Sequence, residues 1–433
     1  MIRHSLASVI ALGLTGLSRF LYNVVVARKF GVEELGRANS LISQAFFIAI
    51  PLSFFAIALG KYSSEFLGRG DSEAIRSITL PSFLLPLAGL FLLPFNLYLG
   101  LIAVFRGIQL TLRSFLYGIH RGEHYAYLVA ASFLAFLAGF WTSNVFAPYL
   151  FFLGALSVFA FAYLLGMGLV GRPKCEYVRP LISYSSFAFL GTLSGVFLIQ
   201  GPYFMSGYLG GPGLAGSVAA ILSTAFLLTY LPQVLQSAIM PLFSYKHGRG
   251  EPDYVRTLAE KTTAFLILVT GVVVFAMMLV GREVLSFLFK FEIGPAFYLA
   301  LMAMEVYIAY NPSLVALNST AYVRRGTFLS LAGALVAGLL WVLLIPGMGE
   351  TGVMLGLMAG YMAILGGTAL SSFRLLGIRP RIYLPLFGLL ALQSTAFISK
   401  YALLAGFVVF LFLEKGTIKE GMGVFRPSRG RES

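Results

Sequence analysis

GRGDSEAIRS, residues 68–77, returns as GRGEPDYVRT at residues 248–257, 180 positions later. The two decapeptides share Gly, Arg, Gly and a second Arg. Asp71 answers to Glu251, Glu73 to Asp253, Ile75 to Val255 and Ser77 to Thr257. At the same offset Gly36 matches Gly216, and Ala45-Phe46 matches Ala225-Phe226. A second echo joins LRSFLYGIHRG (112–122) to LNSTAYVRRG (317–326), with one gap and an offset of about 205. Two echoes in the same order mark an internal duplication.

The segments around these decapeptides are strongly apolar. Of 433 residues, 58% are hydrophobic and only 11% are Asp, Glu, Lys or Arg; mean hydropathy is +0.87. Soluble domains carry roughly a quarter charged residues, so the composition is that of a membrane protein with little mass outside the bilayer. The first apolar run, from about Ser5 to Ala27, is long enough to span and has no small-residue cleavage pattern. A single cysteine, Cys175, excludes an intramolecular disulfide. No spacing of His4, His120, His124 and His247 reads as a metal site.

A membrane-crossing helix needs ~20 mostly apolar residues. Fourteen stretches qualify, near 5–27, 38–59, 77–95, 97–119, 125–143, 148–170, 181–205, 213–237, 260–280, 296–318, 327–345, 352–374, 382–398 and 400–413. Backbone groups cannot go unpaired in lipid, so each is expected to be an α-helix. Prolines within or near several of them (Pro51, Pro81, Pro86, Pro202, Pro232, Pro312) mark places where a helix bends. With the N-terminus inside, cytoplasmic segments hold 22 of the 31 Lys and Arg and outer loops six; three lie within spans. That asymmetry obeys the positive-inside rule and puts both termini in the cytoplasm. It also accounts for the net charge of +14 without a nucleic-acid partner.

The expected fold is therefore all-α, a polytopic membrane protein of about 14 transmembrane helices. Residues 1–172 form one six-helix lobe and 173–375 a second. Residues 376–415 add two helices, and 416–433 form a basic cytoplasmic tail. Repeats that start six spans apart have the same orientation, so their pseudo-twofold axis runs along the membrane normal. Parallel-repeat transporters hold substrate near the midplane between halves and rock one half against the other.

Four charged residues fall inside spans: Arg19, Arg106, Arg113 and Glu305. Each costs a few kcal/mol at the bilayer centre, so each is a functional candidate by default. Polar neighbours share their helix faces. Thr15, Arg19, Tyr22 and Asn23 form one stripe, Arg106, Gln109 and Arg113 a second, Thr229, Gln233 and Gln236 a third, and Glu305 lies near Tyr307 and Asn311. Arginine is a fixed fork suited to phosphate, while Tyr, Gln and Asn suit sugar hydroxyls. The candidate substrate-binding set is thus Arg19, Tyr22, Asn23, Arg106, Gln109, Arg113, Gln233, Gln236 and Asn311. Other readings stand beside it. Arg113 is near enough to the cytoplasmic end to snorkel, and Arg106 and Glu305 could pair between lobes. Glu305 could instead take up a coupling H⁺ or Na⁺. No other cofactor is expected. Three cavity cations against one acid point to an anionic cargo.

FGVEELGRANSLISQAFFIAIPLSFFAIALGKYSSEFLGRGD (30–71) resembles the second-span region of polysaccharide flippases. These belong to the multidrug/oligosaccharidyl-lipid/polysaccharide exporter superfamily. The elements that carry the likeness are Gly31, Glu33-Glu34-x-Gly36 and a span ending in an Arg-Gly-Asp loop; LYGIHRGEHYAYL (116–128) resembles that family's link between spans four and five. The resemblance implies a V of two six-helix lobes that moves a lipid-linked oligosaccharide to the outer leaflet of the plasma membrane by alternating access. It also implies a monomer among membrane lipids, with Arg19 in the place of the family's first-span arginine. Lipid II flippases line their cavity with arginines, which Arg106 resembles in kind. Drug-exporting relatives use acidic residues in spans one or seven, and this chain has none there.

Two rival readings rest on residues. GKYSSEFLGR (60–69) imitates the loop after span two of major-facilitator carriers, but Phe66 stands where a basic residue is expected. A membrane glycosyltransferase or glycan ligase could use Glu33-Glu34 as a metal-binding pair, although no loop here is long enough to hold a catalytic domain.

Overall fold

The computed structural model describes residues 2–320 and 322–413, and the expected tail at 416–433 lies outside them. The described residues form helices and no strand. α1 (Ile2–Phe30) is followed by α2 (Val32–Leu52) and α3 (Ala56–Arg69). The last two pass together as one span, bent by 45° just after Pro51. A ring that cannot donate an N–H loosens the helix at that point. α4 (Ser72–Leu84), which contains Pro81, tightens into a 3₁₀ segment, Leu85–Leu92, that has Pro86 in its first turn. α5 (Leu97–Gly118), α6 (Gly122–Gly139) and α7 (Ala147–Gly166) complete the first lobe.

In the second lobe α8 (Cys175–Ala225) runs through a 3₁₀ turn, Phe226–Thr229, into α9 (Tyr230–Gly248). α10 (Pro252–Phe289), α11 (Ala296–Asn318) and α12 (Val323–Leu376) follow. α8 has 51 residues and α12 has 54, at ~1.5 Å of rise each roughly two and a half times the ~30 Å of a bilayer core. Each turns back at one non-helical glycine, Gly211 in α8 and Gly349 in α12. Short α13 (Leu384–Gln393) and α14 (Lys400–Leu413) are appended. All fourteen apolar stretches fall on these elements. By length and apolarity alone, eight of the described helices qualify as spans, or nine with the bent pair.

The duplication is visible in the backbone. Gly31 has φ 90° and ψ 172°, and Gly211, 180 positions on, has φ 84° and ψ 175°. Gly70 and Gly250 share a left-handed φ of 70° and 73°. Only glycine adopts these angles without strain, which is why the repeat survives best at its glycines. The quoted decapeptides are the turns after α3 and α9. Asp71 caps α4 by accepting from the Ala74 N–H at 2.9 Å. Arg69 pairs with Glu65 and Arg249 with Glu251. The first decapeptide also holds the start of the second lobe, where Lys174 pairs with Glu73 and its backbone N–H donates to Ser77 Oγ at 2.6 Å.

The lobes meet where α2 crosses the start of the second limb of α8. A Cβ on Gly36 would strike the Pro212 carbonyl, and one on Gly216 the Val32 carbonyl. Beside this crossing Asn23 Nδ2 donates to the Ala219 carbonyl at 3.4 Å and Asn39 Nδ2 to Asn23 Oδ1 at 2.8 Å. These contacts close one side of the molecule, here the far side. The opposite side carries the basic turns.

Candidate functional site

Between the lobes lies a cavity of about 980 Å³. Its walls come from α1, α2, α3, α5 and α7 of the first lobe and from α8, α9 and the turn between them in the second. The lining runs from mid-membrane, at Arg19, Arg106 and Gln200, to the basic side, at Lys61, Ser64, Gly118 and Met240. Arg19, Arg106, Arg113 and Lys61 all face it, and no Asp or Glu is among its described lining residues. In a low-dielectric setting four cations without a counter-charge make a focused positive potential.

Arg19 enters from α1 and reaches the second lobe. Its Nη1 donates to Gln200 Oε1 at 3.3 Å, and its guanidinium lies 4.3 Å over the Tyr203 ring. Its Nε and Nη2 are shielded from solvent and have no partner. Unpartnered guanidinium donors are of the kind that pair a planar or tetrahedral anion. Arg106 is held from below. Its Nη1 donates to Gln109 Oε1, and its guanidinium stands 4.5 Å over the Phe46 ring. Gln109 in turn donates to Tyr125 Oη at 3.4 Å. Gln109 is 2% exposed and does not reach the cavity, so it positions Arg106. Arg113, exposed on the cavity wall, and Gln233, whose Nε2 donates to Thr229 Oγ1 at 3.5 Å, complete this part of the predicted set.

Other predicted residues lie elsewhere. Tyr22 is fully buried, donates to the Val145 carbonyl at 3.0 Å and meets Tyr149 edge to face at 4.7 Å. Asn23 belongs to the far-side crossing. Both share a stripe with Arg19 in projection, but the helix turns them into the packing, Tyr22 within the first lobe and Asn23 against the second, so neither lines the cavity. Asn311 is buried between α9, α10 and α11, away from the cavity. Glu305 also lies outside it and contributes no charge to its wall. Its carboxylate meets Gln393 and not Arg106, so the inter-lobe ion pair is not formed. The side chain of Gln236 lies outside the described residues. Glu33 and Glu34 stand in the first turn of α2, where the helix dipole favours them, and Glu34 pairs with Arg37 at 3.4 Å.

Lys61, Gln200 and Tyr230 are among the lining residues that were not anticipated. Lys61 reads as a loop cation in the sequence, but α3 carries it onto the face shared by Ile57 and Ser64. Gln200 is a lone amide in a long apolar run, a signal present in the sequence. Tyr230 packs against Gly16 of α1, where a Cβ would meet its ring. That closeness follows only from the fold.

No family model matches the sequence, and no curated protein matches it by sequence. Solved structures do match in shape. The lipid II flippase MurJ in an inward closed conformation has a TM-score of 0.64 at 13% identity, over 96% of this chain and 100% of that one. An inward-facing multidrug resistance MATE transporter of the MOP superfamily gives 0.63 at 14%, over 84% and 97%. The MATE multidrug transporter DinF-BH gives 0.64 at 14%, over 86% and 94%.

Proposed function

We propose that this protein, which has the fold of MOP-superfamily transporters, is a flippase for an anionic polyprenyl-(pyro)phosphate-linked oligosaccharide. The observation that carries this reading is the charge of the cavity, four cations and no acid among its described lining residues. A cationic drug would find no counter-charge there. The (pyro)phosphate is received at the mouth by Lys61 and Arg113 and at mid-membrane by Arg106 and Arg19. Glycan hydroxyls meet Gln233, Gln200, Ser64 and Thr229, and the prenyl tail stays in lipid.

The basic side is the cytoplasmic one by the positive-inside rule, so the structure represents a cytoplasm-facing state awaiting cargo. Arg19 couples binding to movement. It stands on one lobe and donates to Gln200 on the other, so an anion that claims its free donors changes what joins the lobes at mid-membrane. The same fold in the lipid II flippase MurJ supports a lipid-linked cargo, and the absence of a long loop disfavours the transferase reading. The major-facilitator reading loses its footing with the fold.

The test is flipping in proteoliposomes, with a fluorescent polyprenyl-pyrophosphate glycan scored by a membrane-impermeant quencher. Arg19→Ala should stop translocation while leaving a folded protein. Unchanged flipping rejects the site, and turnover of the glycan onto a soluble acceptor favours the enzyme.

A further inference from the structure

Glu305 stands in mid-α11 and is 1% exposed; Gln393, the last residue of α13, is 0% exposed. Gln393 Nε2 donates to Glu305 Oε1 at 2.8 Å. Two oxygens at the same contact, Glu305 Oε2 and Gln393 Oε1, are shielded from solvent and have no partner. Leu301 and Ala309, one turn either side of Glu305, and Leu389, one turn before Gln393, are buried and apolar. Among the described residues Gln393 is the one hydrogen-bonding group acting on this carboxylate. Cations of the flanking segments are committed elsewhere, Arg282 to Glu292 at 3.8 Å, Arg379 to Glu260 at 2.6 Å, and Lys400 to Glu283.

An ionised carboxylate and a carboxamide can satisfy only half of this arrangement. The amide N–H finds one carboxylate oxygen, but the amide oxygen and the other carboxylate oxygen are both acceptors. Each buried orphan costs about 1–3 kcal/mol, and more when charged. One proton on Oε2 turns that oxygen into a donor, and the unpartnered amide oxygen of Gln393 is an acceptor that can take it. Both groups then close as a reciprocal acid–amide pair with no orphan left.

We infer that Glu305 and Gln393 form a proton-binding site, in which one proton held at Glu305 Oε2 closes a clasp between α11 and the appended helix α13. The ligand is a proton and not Na⁺. Hard cations gather a shell of several oxygens, and this contact supplies three at most, two of them unpartnered, in apolar surroundings. Among the described residues no group of three His, Cys, Asp or Glu is placed to hold a metal ion. The proton is taken from water, and no other bond changes. This inference is independent of the cargo proposed above.

The experiment is infrared spectroscopy of the full chain in nanodiscs at neutral pH. Wild-type protein should show a carboxylic C=O stretch that is missing from Glu305→Gln. Gln393→Leu should keep the band but move it toward that of an unbonded acid, and should speed amide exchange in α13 by about tenfold or more. Glu305→Gln, which can pair reciprocally with Gln393, should keep α13 protected. Absence of the acid band in the wild type overturns the inference. So does a Tm that rises with NaCl over choline chloride and loses that rise in Glu305→Gln, which marks a Na⁺ site. If Glu305→Gln does not fold, Gln393→Leu decides alone, and an unmoved band overturns the clasp.

Discussion

Gly36 and Gly216, equivalent positions of the two repeats, meet each other across the lobe boundary. The Cβ that Gly36 lacks would lie 2.6 Å from the Gly216 nitrogen. An internal twofold axis makes such a meeting natural, because a residue near the axis must contact its own counterpart. Two glycines let two backbones cross with no side chain between them, as small residues do at membrane helix interfaces. Here they seal the far side while the cavity opens on the basic side.

A methyl at that crossing should pry it apart. Gly36→Ala and Gly216→Ala are each expected to weaken far-side closure and shift the protein toward a state open on that side. In a Cys175→Ser background, thiol labelling of Ser40→Cys by an impermeant reagent should rise. Labelling equal to that of the glycine parent would count against the crossing as the seal.

Arg28, at the end of α1, donates from Nε to the Leu288 carbonyl at 2.6 Å and from Nη2 to the Phe287 carbonyl at 3.1 Å. These are last-turn carbonyls of α10 in the other lobe, where a cation also complements the helix dipole. Arg28→Ala should release about 1 kcal/mol of far-side closure, the exposed setting keeping the figure low. Spin-label distances between the far ends of α1 and α10 should lengthen or broaden, and a distance distribution that does not move would show the contact to be incidental.

At the proposed anion site, Arg19→Ala should weaken cargo binding by about tenfold or more, the equivalent of ~1.4 kcal/mol. Arg19→Lys should recover little, because a point charge cannot use a fork's two free donors. Gln200→Ala should change binding less. Binding of a short-chain polyprenyl pyrophosphate, measured by calorimetry, ranks the three, and equal affinities would remove Arg19 from the site.

Outside the membrane, Glu251 accepts from Lys246 Nζ at 2.7 Å, and this hydrogen bond holds its carboxyl below the usual range. A depressed carboxylate stabilises the fold above its unfolded value, and that contribution is lost as pH falls through its folded value. Lys246→Gln should lower Tm slightly near neutral pH, leave it unchanged below the carboxylate's folded value, and so flatten the acid limb of a Tm-versus-pH profile. An unaltered acid limb would assign that limb to other carboxylates.

The lobes were legible because the same turn chemistry recurs. Glycines at 70 and 250, within the quoted decapeptides, are kept where positive φ demands them, and a short polar turn cannot drift far between two lipid-facing helices. Site residues were legible where charge was out of place in apolar runs, as with Arg19, Arg106 and Arg113. Helical spacing alone failed for Tyr22, Asn23 and Asn311. It groups residues by face but does not say whether a face meets a cavity or another helix. Lys61 was missed for a related reason, since a span that continues past a bend looks like a loop in composition.

Sequence by itself determined that the chain is a bundle of apolar helices, duplicated in parallel, with its basic residues gathered on one side. Those properties are local: apolar length, turn residues and charge placement each act within one segment. Only the tertiary structure decided which cations share a cavity, that Glu305 leaves it to meet Gln393, and that Gly36 meets Gly216. Partners across the lobes are separated by up to 260 positions, the distance from Arg28 to Leu288, and are chosen by packing between helices, which no single helix encodes.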